Sequence, residues 1–264
     1  MKTSLSVIIL TFNEELNIEQ CLKSVADWAD EILVVDSYST DKTLEIAKKY
    51  GARVAQREFK NQAEQFNWAL DNLEIKNEWI LRLDADEEIL PELKEEIEKK
   101  LSELPPGVNG VALRRRTYFM GKWMKYGGVY PTIILRMFRK GLGVSENREM
   151  DEHIILKSGK EVVFENDFID NNKKGLSFWI SKHRDYARRE AASHIQETLT
   201  NAKLKNSFYY SLPSFFRAFF YFFYRYFLKL GFLDGIIGFQ YHFLHAFWYR
   251  FLVDVEICKL NKKI

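Results

Sequence analysis

Cysteine is nearly absent from this sequence, which has only Cys21 and Cys258 in 264 residues. Two cysteines at opposite ends of a chain make neither a disulfide framework nor the paired spacing of a zinc site. This composition favours a reducing compartment. The glycine-rich fingerprint of nicotinamide dehydrogenases is also missing, since residues 11–15 read TFNEE after the first apolar run. That class of enzyme is therefore disfavoured.

Long hydrophobic runs are absent as well. The first apolar run, Leu5–Leu10, is too short for a signal peptide, and acidic residues follow it without a small-residue cleavage site. Near the other end, the longest uncharged run is Gly235–Tyr249, and it contains Gln240 and two histidines. A bilayer-spanning helix needs about 20 apolar residues. We therefore expect a protein facing the cytosol, with no transmembrane helix.

The net charge of +2 hides an uneven distribution. Residues 1–104 carry 13 Lys and Arg against 23 Asp and Glu, whereas the remainder carries 26 against 14. A basic and aromatic second half favours contact with an anionic surface, either phospholipid or nucleic acid.

Hydrophobic patterning predicts alternating strands and helices through the first hundred residues. Residues 4–10, 31–36 and 79–84 are apolar runs typical of buried strands, and the segments between them have the spacing of helices. Alternation of this kind predicts an α/β fold with a mostly parallel, doubly wound sheet. Ligands bind such sheets at the carboxyl ends of the strands.

Two carboxylates stand at one of these strand ends. Asp84 and Asp86 are separated by Ala85, so both could face one ligand, and Glu87 and Glu88 follow them. Carboxylate oxygens suit Mg²⁺ or Mn²⁺ held jointly with substrate phosphates. The alternative is an acidic loop that caps the helix predicted to begin near Pro91.

Asp36 ends the second predicted strand. An acid at this place in doubly wound folds commonly holds a ribose or the edge of a base. The alternative is that Asp36 only starts the turn at Ser37–Thr40.

The segments TFNEE, STDKT and LRLDADEE together resemble glycosyltransferase family 2, whose members have the Rossmann-like GT-A fold. The resemblance covers residues 4 to about 100, with Asp84-Ala85-Asp86 as the DXD motif. It implies that Asp36 reads the base, Asp84 contacts the nucleotide sugar, and Asp86 binds the metal bridging the diphosphate. The other implied contacts to the donor are Thr11, Asn13, Glu15 and, on a weaker match, Gln62 and Asn67. Asn67 could equally be an ordinary polar residue on a half-buried helix.

The resemblance also implies a catalytic base in the fragment Glu149-Met150-Asp151-Glu152-His153. It is similar to bacterial enzymes of lipopolysaccharide core and surface-polysaccharide assembly, which carry an acidic motif here. An inverting transfer needs a carboxylate that deprotonates the acceptor hydroxyl. We expect Glu152 or Asp151 in this role and His153 at the diphosphate or the metal. A solvated acidic turn is the alternative.

The C-terminal part is unusually aromatic. Residues 207–253 hold 21 of the chain's 40 aromatic residues, and Arg217, Arg225, Lys229 and Arg250 interleave with them. This pattern is typical of helices that lie in a membrane interface, and Gly231, Gly235 and Gly238 are expected to break the segment into two helices. A dimer interface or a lid is the alternative. Nucleic acid is disfavoured, because the aromatics form unbroken runs.

The sequence thus predicts a GT-A glycosyltransferase domain over residues 1–205, with a nucleotide-sugar half (1–104) and an acceptor half (105–205). Residues 206–264 form the aromatic-rich helical extension. The resemblance implies an inverting, metal-dependent enzyme, and the absence of a Gln-x-x-Arg-Trp segment argues against a processive synthase. We expect a UDP-hexose donor and a lipid-linked glycan acceptor, such as lipopolysaccharide core, at the inner face of the cytoplasmic membrane. The rivals are a polyprenyl-phosphate glycosyltransferase and a catalytically silent nucleotide-sugar-binding scaffold.

Overall fold

The computed structural model describes residues 2–146, 153–199, 209–210 and 212–261. The chain folds as two compact units. The first comprises Met1–Tyr118 and Pro131–Lys173, and the second comprises Phe119–Tyr130 and Lys174–Ile264. The predicted boundary after residue 205 lies outside the described residues and stays a prediction.

Eleven strands occur in the described part of the chain. They are β1 (Thr3–Thr11), β2 (Ala29–Asp36), β3 (Arg53–Gln56), β4 (Trp79–Asp84), β5 (Glu87–Ile89), β6 (Val108–Phe119), β7 (Lys122–Trp123), β8 (Thr132–Arg139), β9 (Gly143–Ser145), β10 (Ile154–Leu156) and β11 (Lys160–Asp170). The first four helices are α1 (Ile18–Lys23), α2 (Thr43–Lys49), α3 (Gln62–Asn72) and α4 (Pro91–Lys100).

The main sheet has the strand order β3-β2-β1-β4-β8-β6-β11-β5. Strands β3, β2, β1 and β4 are parallel, as are β6 and β11, whereas β8 and β5 run antiparallel to their neighbours. The predicted α/β class with a mostly parallel sheet is therefore confirmed. Strands β9 and β10 form a separate antiparallel hairpin.

Strand β1 is buried on both faces, which accounts for its unbroken apolar sequence. Val7 and Ile9 pack in the core cluster that includes Ile18 of α1. On the other face, Ile8 packs in a second cluster with Phe66 of α3.

The register of the parallel strands determines where the acidic residues lie. Thr11 at the end of β1 is the partner of Asp36 on β2, and Leu10 is the partner of Asp84 on β4. Asp36 and Asp84 therefore flank the carboxyl end of β1, one register step apart. This is the sheet edge at which ligands bind in doubly wound folds.

The second unit is largely helical. Besides β7, its described elements are α5 (Gly175–Leu199), α6 (Phe216–Phe223) with a π-helical turn (Tyr224–Leu228), a 3₁₀ turn (Gly231–Asp234), α7 (Gly235–His242) with a second π-helical turn (Phe243–Trp248), and α8 (Tyr249–Asn261). The predicted aromatic-rich helical extension is confirmed. Among the described residues, no helix is both long and apolar enough to cross a bilayer.

Two of the three glycines expected to break this segment do lie at breaks. Gly231 and Gly235 bound the 3₁₀ turn, and Gly235 has a φ of +67°. The expectation for Gly238 is wrong, because it lies inside α7, where an added Cβ would stand 2.4 Å from the Cβ of Asp234. Gly238 thus permits close packing against the turn.

The arginines of the aromatic segment mostly turn inward. Arg217 is buried and donates to Asp254 Oδ1 from Nε at 2.7 Å, while Arg225 is buried and donates to the carbonyl oxygen of Gly127. Arg250 donates to Glu190 at 2.6 Å. Arg217 and Arg225 therefore do not present their charge at the surface, and the predicted membrane association stays a prediction.

Candidate active site

Two loops at the carboxyl edge of the sheet are joined by reciprocal hydrogen bonds. Asn13 Oδ1 accepts from the Thr40 backbone N at 2.8 Å. Glu15 accepts from the Lys42 backbone N at 3.2 Å, and its own backbone N donates to Asp41 at 3.0 Å. Two of the predicted donor contacts, Asn13 and Glu15, thus hold the loop after β1 against the loop after β2.

Asp36 is fully buried beneath these loops. Its carboxylate accepts from Thr11 Oγ1 at 3.1 Å, from the Ser39 backbone N at 2.9 Å, and from Gln56 Nε2 at 3.0 Å. Asp36 and Thr11 therefore stabilise together the carboxyl ends of β1 and β2, beneath the two loops. Their predicted contacts with the base and the nucleotide stay predictions.

Asp84 lies between two buried arginines. Arg136 of β8 places Nη2 3.3 Å from Asp84 Oδ2, and Arg82 of β4 places Nη2 3.7 Å from Oδ1. The Asp84 side chain is 27% exposed, whereas those of Arg136 and Arg82 are 7% and 3% exposed. The position of Asp84 is thus fixed by cations on the core side, while part of it faces solvent.

Glu87 is a structural residue, which corrects the expectation that the acidic run forms one ligand set. It pairs with Asp170 in the β5–β11 ladder and is buried. Its carboxylate accepts from the backbone N of Asp84 at 2.9 Å and from Arg136. Burial raises the pKa of Glu87, and the Arg136 guanidinium opposes that shift.

Asp86 lines a small pocket among polar residues. Its Oδ2 accepts from Asn172 Nδ2 at 2.8 Å, and its carbonyl oxygen accepts from the Asn171 backbone N at 2.9 Å. The pocket lining also includes Gln20 and Lys173. The alternative, that the acidic run caps the helix near Pro91, is wrong, because α4 begins after Leu90 and no side chain caps its first turn.

The described residues fit a metal ion that is bound jointly by the protein and the substrate better than a metal ion bound by protein side chains alone. No group of three or more His, Cys, Asp or Glu side chains able to hold a metal occurs among them. Mg²⁺, however, is usually bound through one or two carboxylates with substrate phosphates and water. The half-buried Asp86 carboxylate at the sheet edge fits that donor set.

Helix α3 holds the β9–β10 hairpin through Asn67. Asn67 Nδ2 donates to the Ser145 carbonyl oxygen at 2.8 Å, and Oδ1 accepts from the Ser145 backbone N at 2.8 Å. Asn67 is thus a structural anchor, and Gln62, the first residue of the same helix, is half-buried. Both predicted donor contacts stay predictions.

The expected catalytic base falls outside the described residues, as both Asp151 and Glu152 do. The residues that flank them are described. Glu146 donates from its backbone N to the carbonyl oxygen of His153 at 2.8 Å, beyond the last β9–β10 pair. The side chain of His153 is exposed, and its predicted role at the metal or diphosphate stays a prediction.

Two exposed aromatic rings at this edge were missed by sequence reasoning. Phe12 is 55% exposed and Tyr38 is 57% exposed, one on each of the joined loops. Tyr38 and the neighbour of Phe12, Asn13, have φ values of +60° and +51°. Left-handed backbone at non-glycine residues is strained and gathers at functional sites. The signal available in sequence was an apolar residue inside each polar loop.

Comparison with known proteins agrees with this geometry. The sequence model described as glycosyl transferase family 2 matches residues 6–164. A Rickettsia bellii (strain RML369-C) protein named as an uncharacterized glycosyltransferase is 46% identical over 94 residues, covering 36% of this chain and 31% of the relative. The lipopolysaccharide core biosynthesis glycosyltransferase LpsC of Rhizobium meliloti (strain 1021) is 30% identical over 147 residues, covering 54% and 53%.

The chain thus spans about a third of the Rickettsia relative and about half of LpsC. Among solved structures, the mannosyltransferase PcManGT from Pyrobaculum calidifontis, in complex with GDP-Man and Mn²⁺, is similar with a TM-score of 0.52. The match covers 99% of this chain and 76% of that chain at 15% identity, which makes it a likeness of fold. The GT-A fold expected from the sequence resemblance is confirmed.

Proposed function

The chain belongs to glycosyl transferase family 2 and is a glycosyltransferase, and from this premise we propose an inverting, metal-dependent, non-processive hexosyl transfer. The donor is a nucleotide-diphosphate sugar, with a UDP-hexose as the expected form. The observation that carries the proposal is the placement of Asp36 and Asp84 on the two strands that flank the end of β1.

The proposed reaction is a single displacement at the anomeric carbon. The acceptor hydroxyl attacks this carbon from the side opposite the diphosphate, so that one C–O bond forms as the other breaks and the configuration inverts. Glu152, or its neighbour Asp151, takes the hydroxyl proton as general base. The nucleoside diphosphate leaves with the bonding electron pair.

The described residues would bind and orient the donor. Asp84, held by Arg136, is suited to accept hydrogen bonds from the sugar or ribose hydroxyls, and Phe12 and Tyr38 offer rings on which a base can stack. Asp86 would hold Mg²⁺ or Mn²⁺ together with the diphosphate, and the metal would neutralise charge on the leaving group.

The proposed acceptor is a lipid-linked glycan such as lipopolysaccharide core, supported by the similarity to LpsC over about half of each chain. Such an acceptor would bring the enzyme to the inner face of the cytoplasmic membrane as a peripheral protein. The exposed aromatic side chains of the second unit support this location over a nucleic-acid partner.

A donor screen tests the proposal. Purified protein is incubated with UDP-glucose, UDP-galactose, UDP-N-acetylglucosamine and GDP-mannose, with Mn²⁺ or with EDTA, and free UDP or GDP is measured. We expect release from one donor class, in Mn²⁺ only, that rises when a lipid-linked glycan is added. Glu152→Gln or Asp151→Asn should abolish transfer, with Glu149→Gln as the matched control. No release from any donor, with or without metal, would favour a catalytically silent scaffold.

A further inference from the structure

Helix α6 and the π-helical turn after it present an apolar side to solvent. The exposed residues recur in adjacent pairs every four positions, so they share one side of the helix. We call this set the aromatic stripe, and its members are Phe215, Phe216, Phe219, Phe220, Phe223, Tyr224, Phe227 and Leu228. They are between 38% and 66% exposed.

The stripe is large for a surface in water. Aromatic side chains of this size bury 150–250 Å² each, so the seven aromatic members at about half exposure present roughly 700 Å² of apolar area, to which Leu228 adds. The largest apolar patch on a typical monomer is about 300–600 Å², and larger ones mark interaction sites. Further exposed apolar residues follow the stripe in sequence, namely Leu230, Phe232, Leu233, Ile236, Phe239 and Phe243.

The packing of the helix turns the two arginines of this segment away from the stripe. Arg217 and Arg225 lie on the same helical segment but are 4% and 8% exposed, and they bond to Asp254 and to the Gly127 carbonyl oxygen. Lys229 is the exception, because it is exposed just beyond the last stripe residue and its Nζ lies 5.6 Å from the centre of the Tyr224 ring.

We propose that the aromatic stripe is a membrane-docking surface that inserts among lipid headgroups and acyl chains and does not depend on lipid charge. A protein interface carries about one hydrogen bond per 100–200 Å². Among the stripe side chains, only that of Tyr224 can form one. A bilayer interface requires none, and it accepts aromatic and leucine side chains to a depth of about 5–10 Å. The chemistry of the stripe therefore fits lipid better than a second copy of this chain.

This proposal rests on the proposed function in one respect, namely that a lipid-linked acceptor would explain why the enzyme binds a membrane. Insertion and electrostatic attraction predict different behaviour. Attraction by basic residues weakens with salt and needs anionic lipid. Insertion of uncharged rings depends on neither.

Vesicle flotation with the full chain tests the proposal. The vesicles are pure phosphatidylcholine or a 7:3 mixture with phosphatidylglycerol, at 0.1 M and 0.5 M NaCl. We expect the protein to float with both lipids at both salt concentrations, with partition coefficients within about threefold of each other. Phe216→Gln combined with Phe220→Gln should lower partition at least tenfold. The matched control, Phe59→Gln with Ile133→Gln, changes apolar residues of similar exposure in the first unit and should leave partition unchanged.

Three outcomes overturn the proposal. Binding only to the anionic vesicles, lost at 0.5 M NaCl, would indicate electrostatic attraction. Flotation unaffected by the Phe216 and Phe220 changes would exclude the stripe. The third outcome is a protein that does not float but forms concentration-dependent dimers in sedimentation. If the same two changes dissociate these dimers, the stripe is an interface with a second copy of this chain. Circular dichroism and donor hydrolysis are measured in parallel, so that loss of flotation with intact hydrolysis leaves the enzymatic proposal standing.

Discussion

The side-chain amide of Asn67 forms both of its hydrogen bonds with the backbone of Ser145, one to the N–H and one to the carbonyl oxygen, each at 2.8 Å. The amide thus extends β9 as a neighbouring strand would. Ser145 is the last residue of β9, and the backbone N–H of the next residue, Glu146, donates to the carbonyl oxygen of His153. The stretch between Glu146 and His153 contains both acids proposed as the base.

We therefore predict that Asn67 positions the start of this stretch. Asn67→Ala should lower kcat about 10- to 100-fold, because small displacements of a reacting group cost that much, and a rise in KM for the donor would show that Asn67 also contacts the donor. Steady-state kinetics measures both. Asn72→Ala, at an exposed position of the same helix, is the control. If kcat is equal in Asn67→Ala and wild type while Glu152→Gln is inactive, Asn67 does not position the base, but the proposal that Glu152 is the base stands.

Arg136 and Glu87 form a buried ion pair beneath Asp84. Removing one partner of such a pair costs about 3–5 kcal/mol, because a buried charge is left behind. Arg136→Met should therefore lower the free energy of unfolding by about 3 kcal/mol in urea titrations near pH 8. The loss should shrink as the pH falls, because the Arg136 guanidinium lowers the pKa of the buried Glu87 carboxyl, and without it the orphaned carboxyl takes up a proton more readily than in wild type.

The double variant Arg136→Met with Glu87→Gln should recover part of this stability. Arg139→Met is the control, because Arg139 pairs with Glu78 at a site that is 67% exposed on the carboxylate side, and such pairs contribute about 0–1 kcal/mol. A loss for Arg136→Met no larger than the control's would show that the buried pair does not stabilise the fold.

Phe12 is predicted to bind the base of the donor. Base–aromatic stacking contributes about 1–3 kcal/mol, so Phe12→Ala should raise the Kd for the nucleoside diphosphate about 5- to 100-fold in calorimetric titrations. Leu16→Ala removes a side chain of similar exposure, 58% against 55%, from the same loop and should have no effect. Unchanged affinity in Phe12→Ala would exclude this ring from the nucleotide pocket.

His242 makes the stability of the second unit sensitive to acid. Its ring is fully buried, and neither ring nitrogen has a hydrogen-bond partner among the described residues. Burial lowers the pKa of His242 to about 4. Between pH 6.5 and 4 the unfolded chain therefore binds a proton that the folded chain does not, so stability is present above pH 6.5 and is lost as the pH falls.

One such proton changes the free energy of unfolding by about 1.4 kcal/mol per pH unit. His242→Phe should therefore show a shallower fall of Tm between pH 6.5 and pH 5 than wild type does in thermal scans. If Tm falls equally steeply with decreasing pH in the two proteins, His242 is protonated in the folded state as readily as in the unfolded chain.

Much of the fold could be predicted from the sequence because its signals are local. The continuous apolar run of β1 predicted a strand buried on both faces, and the strand ends predicted where Asp36 and Asp84 lie. The partners of these acids could not be predicted, because Arg136 and Gln56 reach them through tertiary pairing of strands distant in sequence. Likewise, composition alone does not tell whether Arg217 faces lipid or Asp254, since both directions are compatible with the same helix.

The metal dependence of donor cleavage in Asp86→Asn tests the proposed metal site most directly. Release of nucleoside diphosphate is followed over a Mn²⁺ titration, with Asp71→Asn as the control acid on helix α3. We expect wild type and Asp71→Asn to need Mn²⁺ and to stop in EDTA, whereas Asp86→Asn should lose at least about 100-fold in kcat/KM at every Mn²⁺ concentration. Wild-type rates in Asp86→Asn, or undiminished rates of the wild type in EDTA, would contradict a catalytic metal held by Asp86.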